Sequence, residues 1–296
     1  MGAVEAFTET FSIMLKEKRL YVLTLVLTLI LAPLGAYVMP KDVHFDANRT
    51  VTHHGGVIVE EYGSPSESEL IPFFKDFLKK AIPYVILAIV LSTIFEYGVV
   101  RGAVDYLDGR ESSLSELLLE GVKRFPALFT ISFLFLLITL ALIGVPLAVM
   151  AAGILTLPPG AVLVILGVLL LIPVAAFTTA MATLPVAIYA SEWSFGSAFE
   201  AIHLSFRNVK TSLGFGFLLW VGVIGISMVS APISLLTQLF APDSYAPYIS
   251  ALLQAPFTAL LYEFLWIAGV PFYRELRKKE ELKKVDEELA ELGIDF

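Results

Sequence analysis

The 296-residue chain contains no cysteine, which excludes disulfides, thiolate metal sites and cysteine nucleophiles together. Charge is scarce: 16% of residues are Asp, Glu, Lys or Arg, against about 25% in an ordinary soluble domain. The balance is acidic, with 28 carboxylates against 20 bases and a formal net charge of -8. No nucleic-acid partner is expected, because neutralising phosphates needs clustered Lys and Arg on an accessible face. Only four histidines occur, none in a long apolar run, and there is no G-x-S-x-G, H-E-x-x-H or phosphate-binding glycine loop. The chain is therefore not expected to be an enzyme or to use a cofactor. An intramembrane hydrolase would have to work with two glutamates alone.

What fills the chain is apolar: 57% of residues are hydrophobic and the mean hydropathy is +0.80. A bilayer core of about 30 Å needs roughly 20 apolar residues at 1.5 Å each. Six such runs occur, approximately Leu20 to Met39, Ile82 to Val100, Pro126 to Met150, Ala161 to Tyr189, Leu213 to Phe240 and Tyr248 to Tyr273. Six spans put both termini on one side. With that side inside, inner segments carry fifteen of the twenty Lys and Arg, and the remaining five share one outer segment. The positive-inside rule then predicts a multi-pass protein of the cell membrane with cytoplasmic N- and C-termini. The first run is read as a permanent span, with signal-peptide cleavage near Ala36 as the alternative, because Glu5, Glu9 and Glu17 precede it in a helical pattern.

Amphipathic segments precede three of the spans. Leu114, Leu117, Leu118, Gly121, Val122 and Phe125 mark one helix face, started by a Ser113/Glu116 capping box. Eighty-one residues on, Phe195, Ala198, Phe199, Ile202, His203 and Phe206 repeat the pattern, and Phe7, Phe11, Met14 and Leu15 echo it near the start. The expected fold is an all-α polytopic membrane protein, residues 1–273. Its six transmembrane helices form three repeats (about 3–100, 112–190 and 194–273) of an interfacial elbow helix, a span out and a span in. A small extracytoplasmic insert, residues 41–81, reads as a β-hairpin closed at Gly55-Gly56 and an amphipathic helix from Leu70 to Ala81, with Pro72 in or near its first turn. Residues 274–296 read as a charged helical tail, the solvated continuation of the last span, with a short coiled coil through Leu282, Val285, Leu289 and Leu292 as the alternative.

The charged residues within the spans are Glu96 and Glu263. A carboxylate in hydrocarbon costs several kcal/mol unless protonated, paired or wetted, so both are candidate functional acids. Glu263 lies 11 residues before Arg274, about 16 Å of helix rise from the inner boundary and near mid-bilayer. His44, His53 and His54 share the insert with Asp46, Glu60 and Glu61. They form a weak metal candidate, since adjacent His53 and His54 point to opposite faces of a strand; a solvated surface hairpin is the plainer reading. Asn48 heads an N-glycosylation sequon. Prolines recur in the spans, and Gly214, Gly216, Gly222 and Gly225 permit close helix approach in the fifth.

Gly109-Arg110, Ser113-Leu114, Glu116-Leu117 and Arg124-Phe125-Pro126, with Pro185-Val186-Ala187, Ser194-Phe195-Gly196, Ala198-Phe199 and Ser205-Phe206-Arg207, form a pattern that resembles the membrane domain attached to some glycerophosphoryl diester phosphodiesterases. Free-standing prokaryotic relatives of that domain are uncharacterised. The resemblance covers roughly Glu96 to Tyr273 and implies no catalytic residue here, because the catalytic barrel of those enzymes is a separate soluble domain. The expected function is a transporter- or channel-like module for a small or amphiphilic substrate. The alternative is a non-catalytic, non-transporting scaffold or accessory protein that oligomerises or docks a partner. The expected partners are the lipid bilayer and further copies of the chain.

Overall fold

Glu17 alone separates the first two helices of the computed structural model, which describes residues 2–38, 49–54, 57–62, 67–240 and 245–291. Among the described residues the elements are α1 (Gly2–Lys16), α2 (Lys18–Val38), β1 (Arg49–His54), β2 (Val57–Tyr62), α3 (Glu67–Leu107), α4 (Leu114–Leu155), α5 (Ala161–Ala182), α6 (Leu184–Glu192), α7 (Ser197–Arg207), α8 (Val209–Phe240) and α9 (Ala246–Glu291). Six helical stretches are long and apolar enough to cross a membrane, making this a multi-pass membrane protein. Helix is the solution for such runs, because a backbone in hydrocarbon must satisfy its N–H and C=O groups internally.

The spans pack in sequence order: α2 on α3, α3 on α4, α4 on α5, α5 on α8, α8 on α9, and α9 back on α2. This closes a ring. α1 lies against α8 and α9, while α6 touches α3, α4, α7 and α9 at the same end of the ring. That end also carries most of the bases and is called the basic end here. The well-packed core sits there, with Tyr97, Tyr189, Phe215, Phe264 and Phe272 fully buried and the Phe215 and Phe272 rings stacked at 4.1 Å. Toward the other, distal end the surface becomes apolar, with Leu155, Leu239 and Phe240 exposed, as suits a surface against lipid rather than water.

Several close approaches at glycines hold the ring together, and two of them are the tightest. A Cβ at Gly216 of α8 would lie 1.8 Å from the Ala176 carbonyl oxygen of α5, and one at Gly269 of α9 would lie 1.9 Å from that of Thr183. Only hydrogen fits at either place. Of the other glycines flagged in α8, Gly222 receives the Phe264 ring, Gly214 is in ordinary contact with Ala3, and nothing approaches Gly225.

Several local expectations are corrected. The Leu114 segment is not a separate elbow: α4 runs unbroken from Leu114 to Leu155 through Pro126, its start fixed by the Ser113/Glu116 capping box. α1 and α7 are distinct short helices, broken from their spans at Glu17 and Asn208. The insert helix is likewise not separate, because α3 is continuous over 41 residues with Pro72 and Pro83 in its interior. A proline removes one N–H and crowds one carbonyl, and α3 and α4 bridge that local defect with the bonds on either side. Among the described residues the fourth span breaks at a proline, where Thr183 ends α5 and Pro185 lies in the first turn of α6, the place where a missing N–H costs nothing. β1 and β2 run antiparallel with Thr52 opposite Val59. His44 and Asn48, proposed for metal and glycan, lie outside the described residues, as do the side chains of His53 and His54. Among the described residues no group of three or more His, Asp or Glu is placed to hold a metal ion.

Candidate functional site: an interhelical cleft over a buried acid

Residues four apart share a helix face, and three spans turn such rows toward one another. α2 contributes Thr28, Ala32 and Ala36, α3 contributes Tyr84, Ala88 and Ser92, and α9 contributes Ser250, Gln254, Thr258 and Tyr262. Between them lies a cleft of about 450 Å³ along the distal halves of the three helices. The lining mixes hydroxyl, amide and phenol groups with Leu31 and several alanines and carries no charge. The Gln254 amide donates to Ser250 Oγ at 2.7 Å, and a Cβ at Gly35 would meet the Tyr84 hydroxyl at 2.9 Å, so small residues on α2 make the room.

Glu96 continues the α3 row toward the basic end, whereas Glu263 lies on the neighbouring α9 row of Ala251, Ala255 and Ala259. Glu96 follows Ser92 by one turn on α3 and is half-buried. Glu263 follows Tyr262 on α9, and also follows Ala255 and Ala259 on the same face. It is 1% exposed, and its Oε1 has no hydrogen-bond partner. α3 and α9 pack against each other, so the structure brings the helices of both acids together. Phe264, the neighbour of Glu263, is fully buried, its ring held by Phe7 and Phe11 of α1 at 6.0 and 5.3 Å between centroids. Tyr21 of α2 donates its phenol to the Pro256 carbonyl at 3.3 Å, cross-linking two walls.

The basic end is tied by ion pairs. Arg277 binds Glu192 at 2.9 Å and also reaches Glu200 and the Tyr273 hydroxyl. Arg207 meets Glu280 at 3.4 Å, and Lys279 donates to Thr211 at 2.7 Å. Arg274 and Arg110 grip Asp108. Burial pushes that carboxyl up, but the two guanidiniums outweigh it and hold it below its usual range. Burial lifts the Glu200 carboxyl despite Arg277 beside it. The tail is therefore packed, not solvated, as far as Glu280, with Leu276 and Glu280 buried. Its amphipathic face supplies partners for α6 and α7 before it extends into solvent, where Leu282 and Val285 are exposed.

The cleft residues were missed in sequence, although a signal existed. Ser250, Gln254, Thr258 and Tyr262 form a polar ladder at four-residue spacing, and Tyr84, Ser92 and Glu96 sit in a similar register. Comparison with protein-family models, with curated proteins and with solved structures returned no match to this chain.

Proposed function

We propose that the protein is a transporter- or channel-like module that takes a small or amphiphilic substrate into the cleft between α2, α3 and α9. The observation that carries this is a cleft between spans that bears hydroxyl, amide and phenol groups among apolar walls, with Glu263, a buried carboxyl with an unpartnered oxygen, on a neighbouring row of α9. A purely structural acid in hydrocarbon is expected to be hydrogen-bonded. A scaffold would have no need of a polar cleft at membrane depth, so the scaffold reading is second.

Several finer features belong to the same proposal. The basic end faces the cytoplasm, with both termini there, because fifteen of the twenty bases gather at it. The hairpin and the start of α3 then stand outside. The ring of spans in chain order, α2–α3, α4–α5 and α8–α9, supports three repeats related about the membrane normal, and the short helices α1 and α7 support two of the three elbows. The resemblance to the phosphodiesterase membrane domain enters as a family hypothesis on the same footing.

Flux measured in proteoliposomes against a panel of ions and amphiphiles tests the function. The expected outcome is flux that Glu263→Gln lowers at least about tenfold with an unchanged melting temperature, since the amide keeps the shape and removes the ionisable group. Wild-type flux in that variant would take Glu263 out of the mechanism, and no flux for any substrate would favour the scaffold. Orientation is read with an impermeant thiol reagent on single cysteines: Leu155→Cys labels from outside in sealed cells and Glu111→Cys does not. Equal labelling of the two would overturn the topology.

A further inference from the structure

Independently of the cleft, the basic end carries an unusual aromatic site. Trp193 ends α6 in the left-handed region, at φ 58°. A bulky side chain pays for this conformation with backbone strain, and such strain persists where the surroundings demand a particular side-chain direction. Here it turns the indole between two guanidiniums. Arg124 of α4 lies 4.1 Å from the ring and Arg101 of α3 lies 5.2 Å from it.

The two arginines differ in their partners. Arg101 is spent: it pairs with Asp105 at 3.1 Å, donates to the Ala190 carbonyl at 2.7 Å and has Glu120 at 4.0 Å. Arg124 is exposed and forms no ion pair among the described residues; the Trp193 ring lies beside it and the Tyr97 phenol is close enough to feel its charge. Its neighbour Lys123 is exposed too. Arg101 is neutralised by Asp105, but a guanidinium held over an indole and free of any carboxylate keeps N–H groups available for a bidentate oxyanion.

The surroundings say where that oxyanion is attached. Arg124 stands two residues before Pro126, where the charge-free part of α4 begins. Leu119, Val122, Phe195 and Phe199 are exposed, with Phe195 linked to Trp193 through Tyr189 by ring contacts of 6.1 and 6.3 Å. On α7 the small face, Ser197, Ala198, Ala201, Leu204 and Ser205, is the one buried in the protein, which leaves Phe199 and Phe206 facing outward. In water such an aromatic face would be an error, whereas at the level of lipid headgroups it is an anchor.

We propose that Arg124, held over Trp193 and aided by Lys123, binds the phosphate of an anionic phospholipid, whose acyl chains lie against the exposed apolar residues of α4 and α7. Basic residues at a span boundary recognise anionic headgroups by this combination of charge and adjoining apolar surface.

Native mass spectrometry of the delipidated full chain tests it, with phosphatidylglycerol and phosphatidylcholine of identical acyl chains. The wild type is expected to prefer phosphatidylglycerol by about tenfold, the effect of one charge-assisted contact. Arg124→Gln should abolish the preference, Arg124→Lys should keep part of it, and Trp193→Ala should weaken it because the guanidinium is no longer held. Lys16→Gln, which removes an exposed base at the same end, should leave it intact. Equal binding of the two lipids by the wild type would overturn the proposal. So would an equal loss from Lys16→Gln and Arg124→Gln, which would mean diffuse charge, or competition by soluble glycerol phosphate at the affinity of the lipid, which would mean a soluble-anion site.

Discussion

The α4–α5 pair and the α2–α3–α9 cluster are both built of membrane spans, yet they are opposite in design. From Pro126 to Ala182 there is no charged residue, and most large side chains there, from Phe133 and Leu140 to Val162 and Leu169, point outward and exposed. The cluster carries hydroxyls, an amide and two phenols on its facing rows, and an acid on each of α3 and α9 nearer the basic end. The pair spends its side chains on lipid contact and helix contact. The cluster gives up packing, keeping small residues at Gly35, Ala36 and Ala88 so that a cleft remains. Hydropathy alone ranks the pair as the better membrane protein, whereas the polar and ionisable groups within the spans gather in the cluster.

The largest effect expected from this contrast is on stability. Gly269→Leu puts a side chain where the Thr183 carbonyl lies, so α9 must move from α6, and a loss of about 3 kcal/mol or more should appear as a large fall in melting temperature. The same substitution at Gly144 of α4, which nothing approaches, should cost nothing, and an equal fall would show the contrast to be mistaken. Next comes the cleft. Thr258→Leu fills it with a side chain of greater volume and no hydroxyl, and should lower flux by about tenfold, whereas Thr130→Leu on α4, whose hydroxyl bonds only its own helix at Pro126, should leave flux unchanged.

Smaller effects belong to the basic end. Arg277→Ala leaves Glu192 and Glu200 without their shared partner, but the arginine side chain is 37% exposed, so screening limits the loss to about 1 kcal/mol by thermal or chemical unfolding. Smallest is Glu17 at the α1–α2 break. Its bond to Arg19 at 2.6 Å holds its carboxyl below the usual 4.5. The pair therefore contributes stability above the unfolded-state value, and that contribution is lost as pH falls through the lower folded one. Glu17→Gln should flatten the acid limb of stability below about pH 4.5 by a few tenths of a kcal/mol, and an unchanged acid limb would show the pair to be idle.

Much of the fold was legible because span length and charge placement are local quantities. Twenty apolar residues declare a span wherever they pack, and a capping box such as Ser113 with Glu116 acts within one turn. The candidate acids were legible for the same reason, since a carboxylate in a run like that around Glu263 is anomalous without reference to any neighbour. The breaks between helices were less so. Sequence placed an elbow before each of three spans, but α4 is continuous and the fourth span breaks at Thr183 instead. Whether an amphipathic segment bends depends on what its far end packs against, as α1 does on Phe264.

The sequence by itself determined six spans, the gathering of bases at one end of them and the two acids within them, because the cost of moving a side chain or a peptide group into hydrocarbon is set by that group alone. Only the tertiary structure decided that α9 returns to α2 to close the ring, that rows of Ser, Thr, Gln and Tyr from three distant segments face one cleft, and that Trp193 stands between Arg101 and Arg124. These are contacts between residues tens to hundreds of positions apart. They depend on which helix faces can approach, and so on a hydrogen at Gly216 and Gly269, where any larger group would hold the helices apart.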